Sequence, residues 1–447
     1  MTTPIVDFVR SYAERRMLRL HMPGHKGVDQ LGVEHWDITE IEGADVLYGA
    51  QGIIRESEEN AARLFGSART VYSTEGSSLC IRAMLCLALR EARERGVAPL
   101  IAAGRNAHKT FMSAAALLDF EVAWLYGEES GDLLSCRITP EYLAGALDAM
   151  AQMPIAVYLT SPDYLGNMLD IGALAEICRQ RDVLLLVDNA HGAYLRFLPE
   201  SAHPINLGAH ACCDSAHKTL PVLTGGAYLH LAADAPSSFF QNVESAMALF
   251  ASTSPSYLIL QSLDLVNLTL EEGYADRIVA HCARIGRLRA HLAAKGICLL
   301  GDEPMKLTVV AKSLGYTGDE LANLLRSGEI ECEFSDRDFL VMMLSPMLGE
   351  DALIRIEQAL LSLPTRHPIS ERPPRAIPAE RALSIREATL SPSEELAVEL
   401  CEGRILASAQ LSCPPAVPIV VCGERIDRRA IERMKYYGIS HCCVVKE

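Results

Sequence analysis

The chain has 447 residues, enough for two or three domains with sizeable hydrophobic cores. Hydrophobic residues make up 49% of it and charged residues 22%, which is ordinary for folded proteins and excludes extensive disorder. The formal net charge of -16 argues against nucleic acid or an anionic membrane surface as a partner and suits a cationic small molecule.

The cysteine pattern predicts free thiols. Fourteen cysteines are spread along the chain without a Cys-x-x-Cys pair, so we expect neither a disulfide framework nor a metal site. Four isolated cysteines with apolar neighbours are expected to be buried: Cys80, Cys178, Cys282 and Cys298. We also expect no signal peptide and no membrane span, and therefore a cytoplasmic protein.

The first predicted strand, Thr70 to Tyr72, leads into a run of small polar residues. Ser73-Thr74-Glu75-Gly76-Ser77-Ser78 follows the strand and opens a helical pattern that continues to Arg90. Backbone N–H groups at such a helix start bind phosphate, although serine at this position also serves as an ordinary helix cap. The run is therefore a candidate phosphate site and a weak motif by itself.

Further along the chain, strands and helices alternate. Strand Leu100 to Ala103 precedes a polar loop that contains His108, a residue able to stack on an aromatic ring. Two continuously apolar runs, Pro154 to Leu159 and Val183 to Val187, flank the helix Ile171 to Arg181 and predict a βαβ unit. This pattern, from about residue 68 to 230, predicts a doubly wound α/β domain that binds its ligand beyond the carboxyl ends of the strands.

Two charged residues follow apolar strands of this domain. Asp188 comes directly after a buried strand, where a carboxylate needs a cationic partner, although an aspartate there also acts as a simple cap. Lys218 lies in Ser215-Ala216-His217-Lys218-Thr219, where desolvation would favour an amine nucleophile, although a surface lysine is the simpler interpretation. Together the two residues are stronger evidence for a functional site than either one alone, because an acid and a lysine of this kind bind pyridoxal 5'-phosphate (PLP).

The rest of the sequence predicts further domains. We expect an N-terminal segment (1–50), a large domain (51–295) and a small α/β domain (296–363) that includes strand Phe339 to Leu344. The family resemblance described next implies that the first contributes to the active site and that the second binds PLP. Five of the fifteen residues from Pro364 to Pro378 are proline, which predicts a stiff linker over 364–378. Residues 379–447 would form a separate C-terminal α+β domain.

Taken together, these segments resemble the ornithine/lysine/arginine (Orn/Lys/Arg) decarboxylases, a PLP-dependent family of the aspartate aminotransferase fold type, fold type I. The resemblance covers nearly the whole chain and looks like the short form of the family. The matching strings are Leu20-His-Met-Pro-Gly-His-Lys-Gly27, Asp37-Ile-Thr-Glu40, Arg105-Asn-Ala-His-Lys109, Ser161-Pro-Asp-Tyr164, Asp188-Asn-Ala-His-Gly192, Ser215-Ala-His-Lys-Thr-Leu-Pro221, Ser252-Thr-Ser-Pro-Ser-Tyr257 and Cys413-Pro-Pro-Ala-Val-Pro418 with Gly423-Glu424.

The resemblance implies a fold and a set of site residues. The fold would have a mostly parallel large-domain sheet with helices on both faces. Lys218 would bind PLP covalently, Asp188 would pair with its pyridine nitrogen, and His108 would stack on its ring. The other implied contacts are Ala190 on the opposite ring face, His191 near the reacting group, Gly76, Ser77, Ser78, Ser215 and His217 at the phosphate, and Thr253 or Ser254 from a partner subunit.

The implied activity is decarboxylation of arginine, lysine or ornithine to an amine for polyamine metabolism, in a homodimer or higher homo-oligomer. Candidate substrate contacts are His25, Glu40, Asp45 and Glu333. The sequence departs from the family pattern at Glu75, at Asn189 and over Tyr48 to Gln51. An aminotransferase or another fold-type-I lyase is the enzyme alternative, and a scaffold or regulator that has lost the chemistry is the second.

Overall fold

The protein is described by a computed structural model over residues 1–127, 134–375, 378–408, 412–413 and 417–447. Two linker positions, 376 and 377, lie outside the described residues. So do residues 414–416 of the predicted C-terminal motif.

A seven-stranded sheet is the main β structure of the described residues. Its strands in chain order are β1 (Arg69–Ser73), β2 (Leu100–Gly104), β3 (Glu121–Leu125), β4 (Ala156–Thr160), β5 (Leu184–Asp188), β6 (Ala211–Asp214) and β7 (Ala227–Leu231). The spatial order is β1-β7-β6-β5-β4-β2-β3. β5 pairs with β6 and β2 with β3 in parallel, whereas β7 is antiparallel to both of its neighbours. The predicted α/β class with a mostly parallel sheet is confirmed.

Helices alternate with these strands as the periodicity predicts. They are α1 (Pro4–Glu14), α2 (Ile53–Phe65), α3 (Ser77–Arg95), α4 (Lys109–Leu118), α5 (Pro140–Asp148), α6 (Ile171–Arg179), α7 (Ala216–Thr219), α8 (Ser237–Ala248), α9 (Tyr257–Thr269) and α10 (Ala275–Ala294). α3 runs one turn beyond the predicted end at Arg90 and stops at Gly96, whose left-handed backbone caps the helix.

The C-terminal third contains smaller sheets. β8 (Leu299–Leu300), β9 (Lys306–Val310), β10 (Phe334–Ser335) and β11 (Phe339–Met343) form an antiparallel sheet, accompanied by α11 (Gly318–Ser327) and α12 (Glu350–Leu361). Beyond the proline-rich segment lie α13 (Ile385–Leu390), β12 (Ser393–Ala397), β13 (Ser412–Cys413), β14 (Val417–Pro418), α14 (Arg428–Tyr436) and β15 (His441–Val445). β12 pairs with β15 over an apolar core that includes Val398, Leu406 and Met434.

The chain divides into two compact units. The first comprises residues 1–98, 155–157 and 171–279, and the second comprises 99–154, 158–170 and 280–447. In the first unit, the fully buried Asp264 of α9 accepts the backbone N–H groups of Ile5 and Val6 at 2.9 and 3.0 Å and so holds the start of α1. The boundaries of the five segments expected from the sequence (1–50, 51–295, 296–363, 364–378 and 379–447) stay predictions.

The thirteen cysteines with described side chains are all free thiols. Cys80 and Cys178 are buried as expected and Cys282 is half-buried, but Cys298 is exposed because it lies in the loop between α10 and β8. None of the described helices combines the length and apolar character that a membrane span requires.

Candidate functional site

The ends of β5 and β6 place two polar turns side by side in the first unit. Asp188 is the last residue of β5 and is paired in register with Cys213 of β6. Its side chain is buried, and its Oδ1 atom accepts the backbone N–H of Ala190 at 3.2 Å. A carboxylate buried at a strand end is suited to a cationic ligand group because a buried charge is costly without a partner.

Lys218 lies in the turn after β6, on the short helix α7. Its Nζ atom is 3.1 Å from Nε2 of His191, and this histidine is buried and follows β5 by three residues. The predicted amine and the predicted histidine therefore meet, as parallel strands that end at one edge of a sheet allow.

The residues of the predicted phosphate site also lie in the first unit. Gly76 has φ +73° and ψ 178° and precedes α3, whose first residue is Ser77. The hydroxyl of Ser215 donates to that of Ser77 at 2.7 Å, so the two serines meet although 138 residues separate them. The space around Gly76 is open, since no atom lies within 4 Å of where a Cβ would stand. A helix start with small residues and open space has the geometry that suits an anion.

His217 borders this site. Its Nδ1 atom is 3.0 Å from the carbonyl oxygen of Gly226, and burial lowers the pKa of the ring. Because Nδ1 donates to that carbonyl, Nε2 can donate to a phosphate oxygen only when the ring is protonated.

Two further predicted cofactor contacts are His108 and Thr253. In the second unit, His108 is the N-cap of α4, and its Nδ1 atom accepts the backbone N–H of Thr110 at 3.2 Å. In the first unit, Thr253 is exposed, next to Ser252, whose backbone N–H donates to Glu75 at 2.8 Å. Glu75, a departure from the family pattern, thus holds the segment that was predicted to cross a subunit interface.

The four candidate substrate residues bond mostly to nearby residues. His25 is 3.2 Å from Asp37, and the Glu40 carboxylate accepts the hydroxyl of Thr39 at 2.6 Å. Glu333 accepts the hydroxyl of Tyr164 at 3.0 Å. Asp45 accepts backbone N–H groups that include those of Gly52 and Ile54, and these bonds outweigh its burial and lower its pKa. Its carboxylate therefore also caps the start of α2.

A cluster that the sequence analysis missed lies directly beneath the strand ends. Asp214, the last residue of β6, is fully buried and hydrogen-bonded to His203, His230 and Asn189. Nothing in the spacing of these residues predicts the contact, because it depends on the register of β6 against the antiparallel strand β7. Asn189, the second departure from the family pattern, thus has a partner in Asp214.

The arrangement in the first unit fits PLP. It offers a helix start with open space for a phosphate, a lysine amine for an aldehyde and a buried carboxylate for a ring nitrogen. These three groups belong to one unit and follow the carboxyl ends of β1, β5 and β6, and the carboxyl ends of strands are where α/β proteins bind ligands.

Comparison with known proteins agrees with this chemistry. The family model described as "Orn/Lys/Arg decarboxylase, major domain" matches residues 3–295. An arginine decarboxylase of Halalkalibacterium halodurans is 30% identical over 95% of this chain and 91% of its own length. An arginine decarboxylase of Bacillus subtilis is 29% identical over 96% of this chain and 92% of its own. A lysine decarboxylase structure from Francisella novicida has a TM-score of 0.80 at 15% identity and covers 99% of this chain and 81% of that one.

The fold is that of the fold-type-I PLP-dependent enzymes. The chain belongs to the Orn/Lys/Arg decarboxylase family and is a PLP-dependent amino-acid decarboxylase. The predicted family and enzyme class are thereby confirmed.

Proposed function

We propose that this enzyme binds PLP at the strand ends of the first unit and decarboxylates arginine, releasing the amine agmatine and carbon dioxide for polyamine synthesis. The contact that carries the proposal is the one between Lys218 and His191, next to the buried Asp188. Arginine is preferred to lysine and ornithine because the two relatives at about 30% identity are named arginine decarboxylases.

Each site residue has a defined task in this proposal. Bound PLP supplies the electron sink for the pair released when the carboxylate leaves. The Asp188 carboxylate keeps a proton on the ring nitrogen, and the Lys218 amine holds the cofactor. His191 Nε2 orients that amine and exchanges a proton with it across the 3.1 Å contact. Ser77, Ser78, Ser215 and His217 bind the phosphate, His108 and Ala190 cover the ring faces, and His25, Glu40, Asp45 and Glu333 stay candidates for the substrate side chain.

An observation on the small sheet favours decarboxylation over transamination. Aminotransferases of this fold type usually hold the substrate carboxylate with an arginine on a small-domain strand, and β11, Phe339–Met343, contains no arginine. Without such an ion pair, the carboxylate is easier to desolvate and to lose.

The test is an assay of the purified protein with PLP and each of the three amino acids, following carbon dioxide and amine. We expect the highest kcat/KM with arginine, a visible absorbance band from bound PLP, and loss of both activity and band in Lys218→Ala. Lys295→Ala, which removes an exposed lysine just after α10, is the matched control and should behave as wild type.

Two results would contradict the proposal. Keto acid formation without carbon dioxide would indicate an aminotransferase. A protein that stays colourless with added PLP, with no difference between wild type and Lys218→Ala, would indicate a scaffold or regulator that has lost the chemistry.

We further propose a homodimer in which Thr253 of one chain reaches the phosphate site of the other. Residues 252–254 are exposed in the single chain, so they are available for such a contact. Sedimentation of the active enzyme should show a dimer or a larger assembly. A fully active monomer would refute this arrangement. The free thiols of the described cysteines support a reducing compartment such as the cytoplasm.

A further inference from the structure

Asp214 carries a carboxylate that is completely removed from solvent. Its Oδ2 atom is 2.9 Å from Nε2 of His203 and 3.2 Å from Nε2 of His230, and all three side chains are fully buried. An ionised carboxylate in such a place costs several kcal/mol unless hydrogen bonds compensate it. The two histidines are placed to supply that compensation.

The direction of these hydrogen bonds follows from the chemistry of the groups. A carboxylate only accepts, so both Nε2 atoms carry hydrogen. Nδ1 of His230 then accepts the hydroxyl of Thr70 at 2.8 Å, which keeps that ring neutral, in agreement with the lowered pKa that burial gives it. Burial alone would raise the pKa of Asp214, but His203 and His230 hold it well below the ordinary value.

The second carboxylate oxygen reaches the turn that carries the proposed PLP contacts. Oδ1 of Asp214 accepts the side-chain N–H of Asn189 at 2.7 Å, and the backbone N–H of Asn189 donates to the carbonyl oxygen of Cys213 at 3.0 Å. Asn189 directly follows Asp188, and Asp214 directly precedes Ser215. Two bonds, one from the backbone and one from the side chain, therefore tie the turn after β5 to the turn after β6.

Gly192 shows how tightly the first turn is built around this bond. A Cβ on Gly192 would lie 1.9 Å from Oδ1 of Asn189, so only glycine leaves room for the amide in its present orientation. The backbone N–H of Gly192 also donates to the carbonyl oxygen of Asn189 at 2.7 Å. The side-chain amide of Asn189 is therefore held by its bond to Asp214, and the main chain of the same residue is held by its bond to Gly192.

We propose that a buried clamp fixes the distance between Asp188 and Lys218. We call this cluster the Asp214 clamp, and its four members are Asn189, His203, Asp214 and His230. All four are positioning residues. None of them contacts PLP in this proposal, which rests on the proposed function; they act by holding two adjacent turns in one geometry. Small displacements of a reacting group reduce catalysis strongly, so a rigid connection between the ring-nitrogen contact and the lysine has a clear benefit.

The test compares Asp214→Asn with Asp264→Asn. Both variants remove a fully buried carboxylate of the first unit, but Asp264 holds the start of α1 and not the strand ends. Asp214→Asn removes the buried charge and turns N–H hydrogens toward the two Nε2 atoms, so both rings must change tautomer and the hydrogen bond between His230 and Thr70 must reverse. We expect about a tenfold or larger rise in the PLP dissociation constant and an altered absorbance band for Asp214→Asn. Asp264→Asn should have the same PLP dissociation constant and the same absorbance band as wild type.

A second measurement needs no cofactor. Hydrogen exchange of the backbone amides over residues 189–192 in the PLP-free protein should be faster in Asp214→Asn and unchanged in Asp264→Asn. If Asp214→Asn does not fold, Asn189→Ala removes only the connection between the turns and should change exchange and PLP affinity in the same direction.

The outcomes separate this inference from the proposed function. Unchanged exchange and unchanged PLP affinity in both Asp214→Asn and Asn189→Ala would overturn the clamp while wild-type activity stands. Equal changes in exchange and in PLP affinity for Asp214→Asn and Asp264→Asn would show a general loss of stability, and this result would also overturn the clamp. If the wild-type protein binds no PLP, the proposed function is refuted. The positioning role is then refuted as well, even if hydrogen exchange over residues 189–192 is faster in Asp214→Asn.

Metal analysis of the purified protein gives a further check, because two histidines and an aspartate are also zinc ligands. The clamp predicts far less than one metal ion per chain. Stoichiometric zinc that is lost in Asp214→Asn would overturn the hydrogen-bonded arrangement.

Discussion

Gly76 combines a positive φ of 73° with an extended ψ of 178°, a region of backbone space that essentially only glycine occupies. This conformation turns the chain from β1 into α3, and no atom lies within 4 Å of where a Cβ on Gly76 would stand. The residue therefore shapes the proposed phosphate site through its backbone alone.

We predict that Gly76→Ala weakens PLP binding. Strain of about 1 to 3 kcal/mol would shift the turn or destabilise the protein. Gly273→Ala is the matched control, because Gly273 also has a positive φ, of 99°, and no atom near its Cβ position, but lies between α9 and α10. Both variants should melt at a lower temperature, and only Gly76→Ala should raise the PLP dissociation constant in an absorbance titration. An unchanged PLP affinity in Gly76→Ala would contradict the proposal that this turn forms the phosphate site.

Asp336, at the turn between β10 and β11, gives a pH-dependent prediction. Burial raises its pKa to about 7, although its Oδ1 atom accepts the backbone N–H groups of Asp338 and Phe339, both at 2.7 Å. Because the folded pKa is raised, its contribution to stability is complete below the unfolded pKa of about 3.9 and is lost as the pH rises to about 7.

Asp336→Asn keeps the accepting oxygen and cannot ionise. The free energy of unfolding of wild type, relative to this variant, should therefore decrease by on the order of a few kcal/mol from pH 4 to 7 and stay level above that. Urea unfolding at several pH values measures the difference. A difference that does not depend on pH would show that Asp336 titrates in the folded state as it does in the unfolded chain.

Among the elements, the C-terminal segment makes a close connection with the loop that carries His108, and both belong to the second unit. Arg105 donates to the carbonyl oxygens of Pro418 at 2.9 Å and Ile419 at 3.1 Å, and it lies 3.4 Å from the carboxylate of Glu424. Glu424 is nearly fully buried and also accepts the backbone N–H of Val421 at 2.7 Å. The planar guanidinium of arginine suits several acceptors at once.

We predict that Arg105→Ala costs about 3 kcal/mol of unfolding free energy, because Glu424 would be left as a buried, unpaired charge. Arg381→Ala is the control, since it breaks an exposed ion pair between the C-terminal segment and Glu121 of β3 and should cost less than about 1 kcal/mol. Denaturant unfolding of both variants tests this, and equal losses would refute it. Arg105→Ala should also weaken PLP binding, because His108 lies three residues away.

The elements show what the sequence could and could not predict. The continuous apolar run Val183 to Val187 placed Asp188 at a strand end correctly, since a short apolar run of this length after a helical pattern is typical of a strand buried on both faces. The direction of β7 was not predictable, because Ala227–Leu231 is equally apolar in either orientation. The Asp214 clamp was missed for the same reason, as it exists only once β7 brings His230 beside β6.

At the scale of the whole molecule, the net charge of -16 has a kinetic consequence for a cationic substrate. A negative field raises the local concentration of arginine, and salt screens that field over a Debye length of about 10 Å at 0.1 M. We predict that KM for arginine rises several-fold from low salt to about 0.3 M, while kcat changes little. An inhibitor with a neutral side chain should show a smaller salt effect. A KM independent of ionic strength would contradict the role of the charge.

The position of β1 bears on how the chain folds during synthesis. This strand lies at the edge of the sheet and pairs with β7 alone, and its residue Ser73 meets Ala227, 154 positions later (227 - 73). At translation rates of roughly 5 to 20 residues per second, β1 waits about 8 to 30 s for its only strand partner. Until then, five residues that are buried in the finished protein present an unpaired backbone edge, so the nascent chain needs α2, a chaperone or the ribosome surface to protect it from aggregation.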